Sequence, residues 1–566
     1  MEPRPTPASG AVTPRKGHPW SLYVCFFTEM WERFGYYLMI AIFLLYLRDP
    51  ISQGGKGFDT KHAADLVGSF IALVYLTPFI GGLLADRYLG YRKSIIIGGS
   101  LLMVGYLGLA VPGMTAMYVS LALIIAGNGF FKPNISTLLG NIYNREDLRP
   151  KKDIAYNIFY MGINIGALAS PFAAAYMRNT FSWGTAFATA GVGMGIGLVW
   201  FISGMKHLKE GDVIRPPQKE DMPMQRILSA VFLPAILAAV LGWFAHRIIG
   251  QTLFGTPSND AFMFACVPII VFYSRIFIRA GKEDRRGLGA LFAFFLVSIV
   301  FWVIYNQNST GLTIWADQYT SREMPTALEK VAQPMGILQT VNTAPQMVTD
   351  YDAYFRPRKG PEGEVLQVMG LNPYLKNLPK AQWPAQGQSL HVISPEIFQS
   401  VNPLFIIIFT PLLVLLFGRL ARRKREPNTP VKVSLGILMA GLSSLLMLIA
   451  IVTTMPDIYH NKSSMVWLIS TYAIFTVGEL LVSPIGLSMV SKLAPARLTA
   501  LMMGAWFLVN AIAGKVAGLM ATFWDSFIDK KNYFLILAVA AAAATVIMFA
   551  LSKRLSAVIR EKTGAD

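Results

Sequence analysis

This sequence has few charged residues. Only 14% of its 566 residues are charged, whereas soluble domains carry about 25%. In contrast, 54% are hydrophobic and the mean hydropathy is +0.47. A long chain with so few charges cannot cover itself with polar surface in water, which excludes an ordinary soluble protein. Lipid is therefore expected to be much of its solvent.

Cysteine is almost absent, and acidic residues are few. Cys25 and Cys266 both lie inside apolar runs, so there is neither a disulfide framework nor a zinc spacing, and we expect no metal or cofactor. Lys and Arg outnumber Asp and Glu by 50 to 32. Almost all the basic residues fall in short loops between apolar runs, which is typical of a membrane protein and argues against a nucleic-acid-binding role.

Fourteen apolar runs are long enough to cross a membrane as helices. A bilayer core of about 30 Å needs about 20 residues at 1.5 Å each. Such runs are predicted near 21–47, 63–85, 94–111, 116–142, 154–178, 184–205, 224–247, 260–279, 288–316, 398–418, 431–454, 464–491, 498–523 and 532–552. The expected fold class is an all-α membrane protein with 14 transmembrane helices.

The loops between the runs predict the orientation in the membrane. Basic loops alternate with loops that are nearly free of Lys and Arg, such as 111–115 and 455–461. The basic loops are 86–93, 144–152, 279–286, 419–425 and 553–562. Since basic loops stay on the cytoplasmic side, we expect a multi-pass protein of the inner membrane with both termini in the cytoplasm.

The runs divide the chain into two halves of six, with an extra pair between them. We predict a tail at 1–20, a six-helix bundle at 21–205, a linker with a two-helix hairpin at 206–286, a second bundle at 287–553 and a tail at 554–566. The halves echo each other, because 76–87 and 409–423 both contain Thr-Pro followed by Gly-x-Leu-Ala-x-Arg. Parallel six-helix repeats around a central substrate site are the plan of the major facilitator superfamily, and 82–93 resembles its loop motif G-x-x-x-D-R-x-x-G-x-R-K.

One long segment, 317–396, interrupts the second bundle. It is polar and proline-rich, and the topology predicts that it lies outside the cell. Loops of this length are uncommon in compact domains. Its aromatic residues indicate some local order, and they include Tyr351, Tyr354, Phe355, Tyr374 and Trp383. The sequence assigns no role to this insertion.

The first run contains three ionisable residues, and charges inside a membrane indicate function. Glu29, Glu32 and Arg33 are followed by Tyr36 and Tyr37, and at 100° per residue the five fall within an arc of about 140°. Burial favours the neutral form of a carboxyl group, whereas an adjacent arginine favours the ionised form. We predict that the three charged residues couple transport to protons; a static buried ion pair is the alternative.

Two more charges lie inside other runs. Lys132 precedes Pro133 in the fourth run, and Glu479 lies near the middle of run 464–491. Across the two halves they could bind a zwitterion by its two ends, or close the cavity by pairing with each other; a static salt bridge is again the alternative. No histidine lies in the middle of a run, so histidine is not expected to carry the proton.

Five motifs occur in order along both halves. They are Glu29-Met-Trp-Glu-Arg-Phe-Gly-Tyr-Tyr37, Gly127-Asn-Gly-Phe-Phe-Lys-Pro-Asn-Ile-Ser136, Phe159-Tyr-Met-Gly-Ile-Asn-Ile-Gly166, Gln399-Ser-Val-Asn-Pro403 and Gly478-Glu-Leu-Leu-Val-Ser-Pro484. They resemble signature motifs of the proton-dependent oligopeptide transporters, a family within the major facilitator superfamily. The resemblance implies a bacterial symporter that imports di- and tripeptides with protons.

The resemblance also implies a role for each matching residue. Arg33 and Lys132 would hold the peptide carboxylate, and Asn164, Asn402 and Glu479 would hold the amino group. Glu29 and Glu32, with Glu479 as a further candidate, would carry the proton. The side-chain pockets would be lined by Tyr36, Tyr37, Tyr75, Trp302, Ser483 and Trp506.

Two departures from the family pattern concern the coupling. Many relatives have an arginine where this chain has Ile40, and a glutamate where it has Asn306. Ile40 is predicted on the same helix face as Arg33, so an arginine there would face the cavity. Because the arginine and the glutamate are both replaced, neither charge is left unpaired. The proton stoichiometry stays open. Gly68 stands about where animal members carry a histidine inside the membrane.

Other functions fit less well. The same family includes carriers of nitrate and other small solutes, but Glu479 opposite the cations suits a zwitterion better than a simple anion. A peptide-binding receptor is a further alternative. No metalloprotease motif, phosphate loop or catalytic triad is found, so we expect no enzyme. The expected partners are peptides, protons and the lipid bilayer, and the expected state is a monomer.

Overall fold

The computed structural model describes residues 17–214, 228–495 and 498–563. Residues 1–16 and 564–566 of the predicted tails and 215–227 of the predicted linker lie outside the described residues. Within the described ranges, fourteen helical segments are long and apolar enough to span a membrane. The prediction of an all-α membrane protein with 14 transmembrane helices is confirmed.

The first half contains six long helices. They are α1 (Trp20–Arg48), α2 (Thr60–Leu84), α3 (Tyr91–Leu109), α4 (Met114–Ile142), α5 (Lys152–Thr180) and α6 (Trp183–Gly204). Helices form because a backbone surrounded by lipid must satisfy its own hydrogen bonds. Polar caps define the starts of two of them, α2 and α6: the Asp59 carboxylate accepts from the His62 N–H at 2.8 Å, and the Ser182 hydroxyl accepts from the Thr185 N–H at 3.2 Å.

A hairpin of two helices separates the halves. The hairpin consists of α7 (Leu233–Ile249) and α8 (Pro257–Arg279). The helices of the second half are α9 (Lys282–Tyr305), α10 (Gly311–Gln318), α11 (Thr326–Ala332), α12 (Val401–Arg422), α13 (Thr429–Thr453), α14 (Met465–Val482), α15 (Ile485–Leu493), α16 (Thr499–Thr522) and α17 (Lys530–Thr563). The short helix α11 belongs to the insertion.

Two runs predicted as continuous helices are interrupted. Run 288–316 breaks at a 3-10 turn, Asn306–Ser309, between α9 and α10. There the Asn306 and Gln307 side-chain amides donate to the carbonyls of Trp302 (2.8 Å) and Val303 (3.2 Å), and such local bonds compete with the helix ladder. Run 464–491 breaks at Pro484, because proline has no N–H to continue the α14 ladder.

The insertion is folded, which confirms the expected local order. Strands β2 (Leu338–Val341) and β5 (Leu390–Ile393) pair antiparallel, as do β3 (Gln346–Thr349) and β4 (Gln367–Gly370). A parallel pair, β1 (Thr320–Ser321) with β6 (Ser463–Ser464), joins the insertion to the loop before α14. Its small core consists of Val341, Tyr374, Leu375, Leu378 and Val392, with Trp383 packed against it.

The insertion, which belongs to the second half, also contacts the first half. The Asn179 amide at the end of α5 donates to the Gly336 carbonyl at 3.0 Å and to the Ser394 hydroxyl at 2.8 Å.

An ion pair makes a second contact with the first half: Lys359 of the insertion pairs with Asp59 at the start of α2. Burial alone would raise the pKa of Asp59, but hydrogen bonds from His62 and Lys359 outweigh it and hold this pKa below its usual range. The ion pair between Lys359 and Asp59 therefore persists at mildly acidic pH. We call this end of the molecule the insertion end.

A buried ion pair joins both halves and the hairpin. The Lys515 ammonium on α16, which is 3% exposed, contacts the Asp65 carboxylate on α2 at 2.5 Å. It also donates to the hydroxyls of Ser69 at 2.7 Å and Ser258 on α8 at 2.9 Å. Few polar groups are available in lipid, so Lys515 of the second half takes its partners from the first half and from the hairpin.

Adjacent glycines on α2 provide a matched test of helix packing. A Cβ added at Gly81 would lie 2.0 Å from the Gly129 carbonyl oxygen on α4, whereas at Gly82 the nearest atom would be Pro133 Cβ at 3.5 Å. We expect Gly81→Ala to lower the melting temperature of the purified protein by several degrees, since overpacking costs about 1–3 kcal/mol. Gly82→Ala should leave it unchanged or raised, because alanine favours a helix. Scanning fluorimetry in detergent compares the two, and equal melting temperatures would contradict this packing.

Candidate functional site

A cavity of about 210 Å³ lies between the two halves. Its walls come from α1, α2, α4 and α5 on one side and from α9, α12 and α14 on the other. The predicted site residues that line it are Glu29, Arg33, Tyr36, Tyr37, Tyr75, Lys132, Asn164, Trp302, Asn402, Glu479 and Ser483. Residues from seven helices, remote in sequence, therefore meet in one central cavity.

On α1, one arginine is shared by two carboxylates. Arg33 Nη2 donates to Glu32 Oε1 at 2.7 Å and Arg33 Nε also contacts Glu32 Oε2, so this pair is bidentate. Arg33 Nε lies 3.3 Å from Glu29 Oε1. Glu32 is completely buried and does not line the cavity, whereas Glu29 does, and Glu29 Oε2 has no hydrogen-bond partner among the described residues. The sequence predicts the same role for Glu29 and Glu32, but Glu29 faces the cavity and Glu32 is buried behind Arg33.

Lys132 has no carboxylate partner among the residues that the structure describes. Its ammonium lies 4.0 Å from the ring centroid of Tyr75, which is a favourable cation–π contact. Within the described part of the chain, no Asp or Glu oxygen lies within 4.0 Å of it. The alternative in which Lys132 pairs with Glu479 is not seen in this conformation, so both charges are available to a ligand.

Glu479 provides the negative charge of the opposite wall. Asn402 Nδ2 donates to Glu479 Oε2 at 2.8 Å and to the Thr476 hydroxyl at 2.9 Å. The Thr476 hydroxyl in turn donates to the Tyr472 carbonyl at 2.7 Å. This chain of bonds fixes the carboxylate, which is 6% exposed. A rigid acceptor at this depth suits an ammonium group.

Amide and aromatic side chains fill the space between the charges. Asn164 is held by a bond from its amide to the Tyr160 carbonyl at 2.9 Å. The Trp302 ring packs edge-on against Tyr305 at 5.0 Å, and the Trp302 indole N–H has no partner among the described residues. Ser483 follows the end of α14 directly, at the break that Pro484 causes. These groups combine apolar surface with a few polar contacts, as ligand pockets generally do.

Trp506 does not line the central cavity. Its ring stacks on Phe294 at 5.6 Å and 15°, and it occupies the space beside Gly486. It therefore packs among α9, α15 and α16, behind the cavity wall.

Several lining residues were not predicted, although the sequence carries a signal for some. Tyr160 precedes Asn164 by one helical turn, so it shares a face with it. The polar run Asn306–Ser309 within an apolar span marks the helix break, and Asn308 and Ser309 reach the cavity. Gln399 lines it too. Ile40 and Asn306 both face the cavity, as expected for the positions that depart from the family pattern.

Known proteins provide an independent comparison. The sequence matches the POT family over residues 92–346 and 385–536. It is 32% identical over 524 residues to the uncharacterized transporter YclF of Bacillus subtilis (strain 168), covering 92% of this chain and 90% of that one. It is 31% identical over 506 residues to a di-/tripeptide transporter of Lactococcus lactis subsp. cremoris, with 88% and 87% covered.

Solved structures agree with the sequence comparison. The crystal structure of a mutant of the peptide transporter POT in complex with sulfate is similar with a TM-score of 0.74 at 30% identity, covering 96% of this chain and 97% of that one. A POT family transporter in complex with 5-aminolevulinic acid gives a TM-score of 0.74 at 26% identity, with 96% and 99% covered. The similarity extends over both halves and the hairpin.

Proposed function

The chain belongs to the POT family of transporters, and from that premise we propose that it imports di- and tripeptides together with protons by alternating access. It is a multi-pass membrane transporter and not an enzyme. One observation carries the proposal: the cavity holds Lys132 and Arg33 on one wall and Glu479 on the other, and these opposite charges are not paired with each other. A zwitterion of peptide length would place its carboxylate beside Lys132 and its ammonium group beside Glu479, the two cavity charges that have no ion-pair partner among the described residues.

In the proposed binding mode, the peptide carboxylate contacts Lys132 and Arg33. The ammonium group contacts Glu479, with Asn402 and Asn164 as further polar partners. Tyr36, Tyr37, Tyr75, Trp302 and Ser483 line the pockets for variable side chains, and Trp506 supports the wall from behind. Rings with few fixed polar groups tolerate different side chains while the two charged ends fix the orientation.

We propose that Glu29 is the proton-coupling carboxylate of the α1 cluster, with Glu32 as the permanent partner of Arg33. Arg33 can hold Glu32 and one further anion. When the peptide carboxylate takes the second place, Glu29 loses its cation and gains a proton, which neutralises it in a buried site. Glu479 is a second candidate, since departure of the ammonium group leaves it without a cation. With Ile40 and Asn306 at these positions, the described residues of the cavity wall contain no further charged pair, which is consistent with few coupled protons.

The proposed orientation puts the insertion end outside the cell and the termini in the cytoplasm. The loops 86–93 and 144–152, which are rich in Lys and Arg, lie at the opposite end, because α1 and α5 end at the insertion end and α2 starts there. Basic loops mark the cytoplasmic side. We propose that the protein works as a monomer in the inner membrane, where the two halves rock about the central cavity.

Uptake by proteoliposomes tests this function. With an inward proton gradient we expect the purified protein to accumulate labelled Ala-Ala well above the outside concentration. Unlabelled tripeptides should compete, whereas nitrate and N-acetylated dipeptides should compete weakly or not at all. Empty liposomes and a gradient collapsed with an uncoupler are the controls. No accumulation of any dipeptide, or accumulation that ignores the gradient, would refute the proposal.

A further inference from the structure

A second polar cavity, of about 410 Å³, lies at the insertion end. We call it the insertion cavity and define it by its charged residues Arg48, Asp49, Arg178, Asp317 and Arg322. Its walls combine the ends of α1, α5 and α10 with the strands β2 and β3 of the insertion. It is larger than the central cavity, which has about 210 Å³, and the function proposed above assigns it no task.

Two arginines of this cavity, Arg48 and Arg322, have fewer partners than their burial requires. Arg48 is 6% exposed, its one ion-pair contact within the described ranges is Asp317 at 3.7 Å, and its Nη2 has no hydrogen-bond partner. Arg322 is 2% exposed; its Nη1 donates to Gln339 and to the Ile393 carbonyl, and its guanidinium group lies 4.9 Å from the Tyr374 ring centroid. Among the described residues its Nε has no hydrogen-bond partner, and its Nη2 lies 4.0 Å from Asp317. Two buried guanidinium groups thus share one carboxylate at long range.

Two of the three arginines lack a close carboxylate. Arg178 pairs with the buried Glu396 at 3.2 Å, whereas Arg48 and Arg322 have only Asp317, at 3.7 and 4.0 Å, as an ion-pair contact among the described residues. A buried cation is costly unless an anion and hydrogen bonds compensate it. A guanidinium group presents a planar fork that matches a carboxylate with two parallel hydrogen bonds. The missing partner of this site is therefore an anion, and a carboxylate has the best geometry for it.

The two cavities are too far apart to hold one dipeptide. Arg33 and Arg48 are separated by 15 positions on α1, which is about 22 Å at 1.5 Å per residue. Two residues of fully extended chain span only about 7 Å. A dipeptide would therefore occupy the cavities one after the other.

We propose that the insertion cavity is a capture site that binds the carboxylate of a peptide before it reaches the central cavity. This proposal rests on the proposed function, because it takes a peptide as the substrate and the insertion end as the outer face. The insertion supplies Arg322 and the strands that wall the site. The 317–396 segment thereby acquires a role in recognition.

The cavity also contains a group that titrates near neutral pH. Burial raises the pKa of the Asp49 carboxyl to about 6, although the hydrogen bond from Trp183 (2.9 Å) and the charge of Arg178 oppose the rise. The other charged groups that face it are Arg48 on α1 and Asp317 on α10. Asp49 is neutral below this pKa, whereas a peptide carboxylate stays ionised down to about pH 3.5. Capture should therefore strengthen as the outside acidifies from pH 7.5 to 5.5.

Protection of an introduced cysteine tests the proposal directly. Thr340 is exposed on β2 and lines the cavity, so Thr340→Cys is placed in a background that carries Cys25→Ala and Cys266→Ala. The purified protein is labelled with a maleimide at increasing concentrations of Ala-Ala or of its C-terminal amide. We expect Ala-Ala to slow labelling at least threefold and the amide to have no effect. The concentration for half-protection should fall about threefold between pH 7.5 and 5.5, and Asp49→Asn should remove that fall.

Variants separate the capture site from its surroundings and from the central cavity. Arg48→Gln should raise the half-protecting concentration at least fivefold, whereas Lys330→Gln, which removes an exposed charge of the same insertion outside the cavity lining, should not change it. Protection should persist when Lys132→Gln and Glu479→Gln disable the central cavity. The uptake assay decides the proposed function separately, since it does not use this cysteine.

Four outcomes would overturn the capture site. They are equal protection by the acid and the amide, protection that Arg48→Gln leaves intact, protection that disappears with the central variants, and protection by sulfate as strong as by Ala-Ala. The last would assign the cavity to inorganic anions. Because the acid and the amide are compared on the same folded protein, a variant that fails to fold does not affect the test.

Discussion

Replacing Glu479 by Gln is expected to raise the concentration of a zwitterionic dipeptide needed for half-maximal uptake roughly 30- to 3,000-fold. The carboxylate is buried and fixed by Asn402 at 2.8 Å, so it is ready to accept from an ammonium group without rearrangement. Removing one partner of a buried charge pair costs about 2–5 kcal/mol, and each 1.4 kcal/mol is a factor of ten. Competition against labelled Ala-Ala in proteoliposomes measures this change.

A matched control perturbs the same bonds without removing the charge. Thr476→Val deletes the second acceptor of the Asn402 amide (2.9 Å) and should cost less than tenfold, since it removes a neutral hydrogen bond. An N-acetylated dipeptide, which has no ammonium group, should lose nothing further in the Glu479→Gln variant. If that variant bound zwitterionic Ala-Ala within threefold of the parent protein, amino-group recognition by Glu479 would be excluded.

Replacing Glu29 by Gln is expected to abolish accumulation of peptide against its gradient while exchange continues. Glutamine resembles the protonated carboxyl group permanently, so the step that takes up a proton is lost. A gradient of two pH units supplies about 2.7 kcal/mol per proton, enough for about 100-fold accumulation. The inside-to-outside ratio of labelled Ala-Ala should fall from well above ten to about one. Counterflow exchange without a gradient should stay within threefold of the parent protein.

The neighbouring carboxylate separates coupling from structure. Glu32 is fully buried and bidentate to Arg33, so Glu32→Gln breaks a buried ion pair, which typically costs 3–5 kcal/mol. We expect this variant to melt several degrees lower and to lose both accumulation and exchange. A Glu29→Gln protein that still accumulated Ala-Ala more than tenfold would contradict the assignment of the coupled proton to Glu29.

The helices were predictable because lipid leaves the backbone few options. Apolar runs of about 20 residues indicate spans whatever surrounds them, and the spacing of charges on α1 was enough to place Glu29, Arg33, Tyr36 and Tyr37 on one face. Local bonds were harder to foresee. The Asn306 amide donates to the Trp302 carbonyl and helps to end α9. The run 288–316 that contains it is nevertheless apolar enough to predict one continuous helix.

Partners across the fold could not be predicted at all. Nothing local to Lys515 indicates Asp65 or Ser258, and nothing local to Glu32 shows that it lies behind Arg33 whereas Glu29 faces the cavity. Trp506 belongs to the predicted pocket by resemblance but stacks on Phe294. These differences depend on how helices rotate against one another, and a single sequence does not contain that information.

The bonds between the insertion and the first half affect which conformation the protein adopts at rest. Lys359 with Asp59, and Asn179 with Gly336 and Ser394, join the two halves at the insertion end. In the proposed rocking cycle these bonds form when the insertion end is closed and break when it opens. Their free energy therefore stabilises only the closed state. Each 1.4 kcal/mol of it multiplies the ratio of the two populations tenfold, and a ligand that favours the other state must supply the same amount. The insertion therefore sets a threshold that the substrate and the proton must exceed together before the transporter opens.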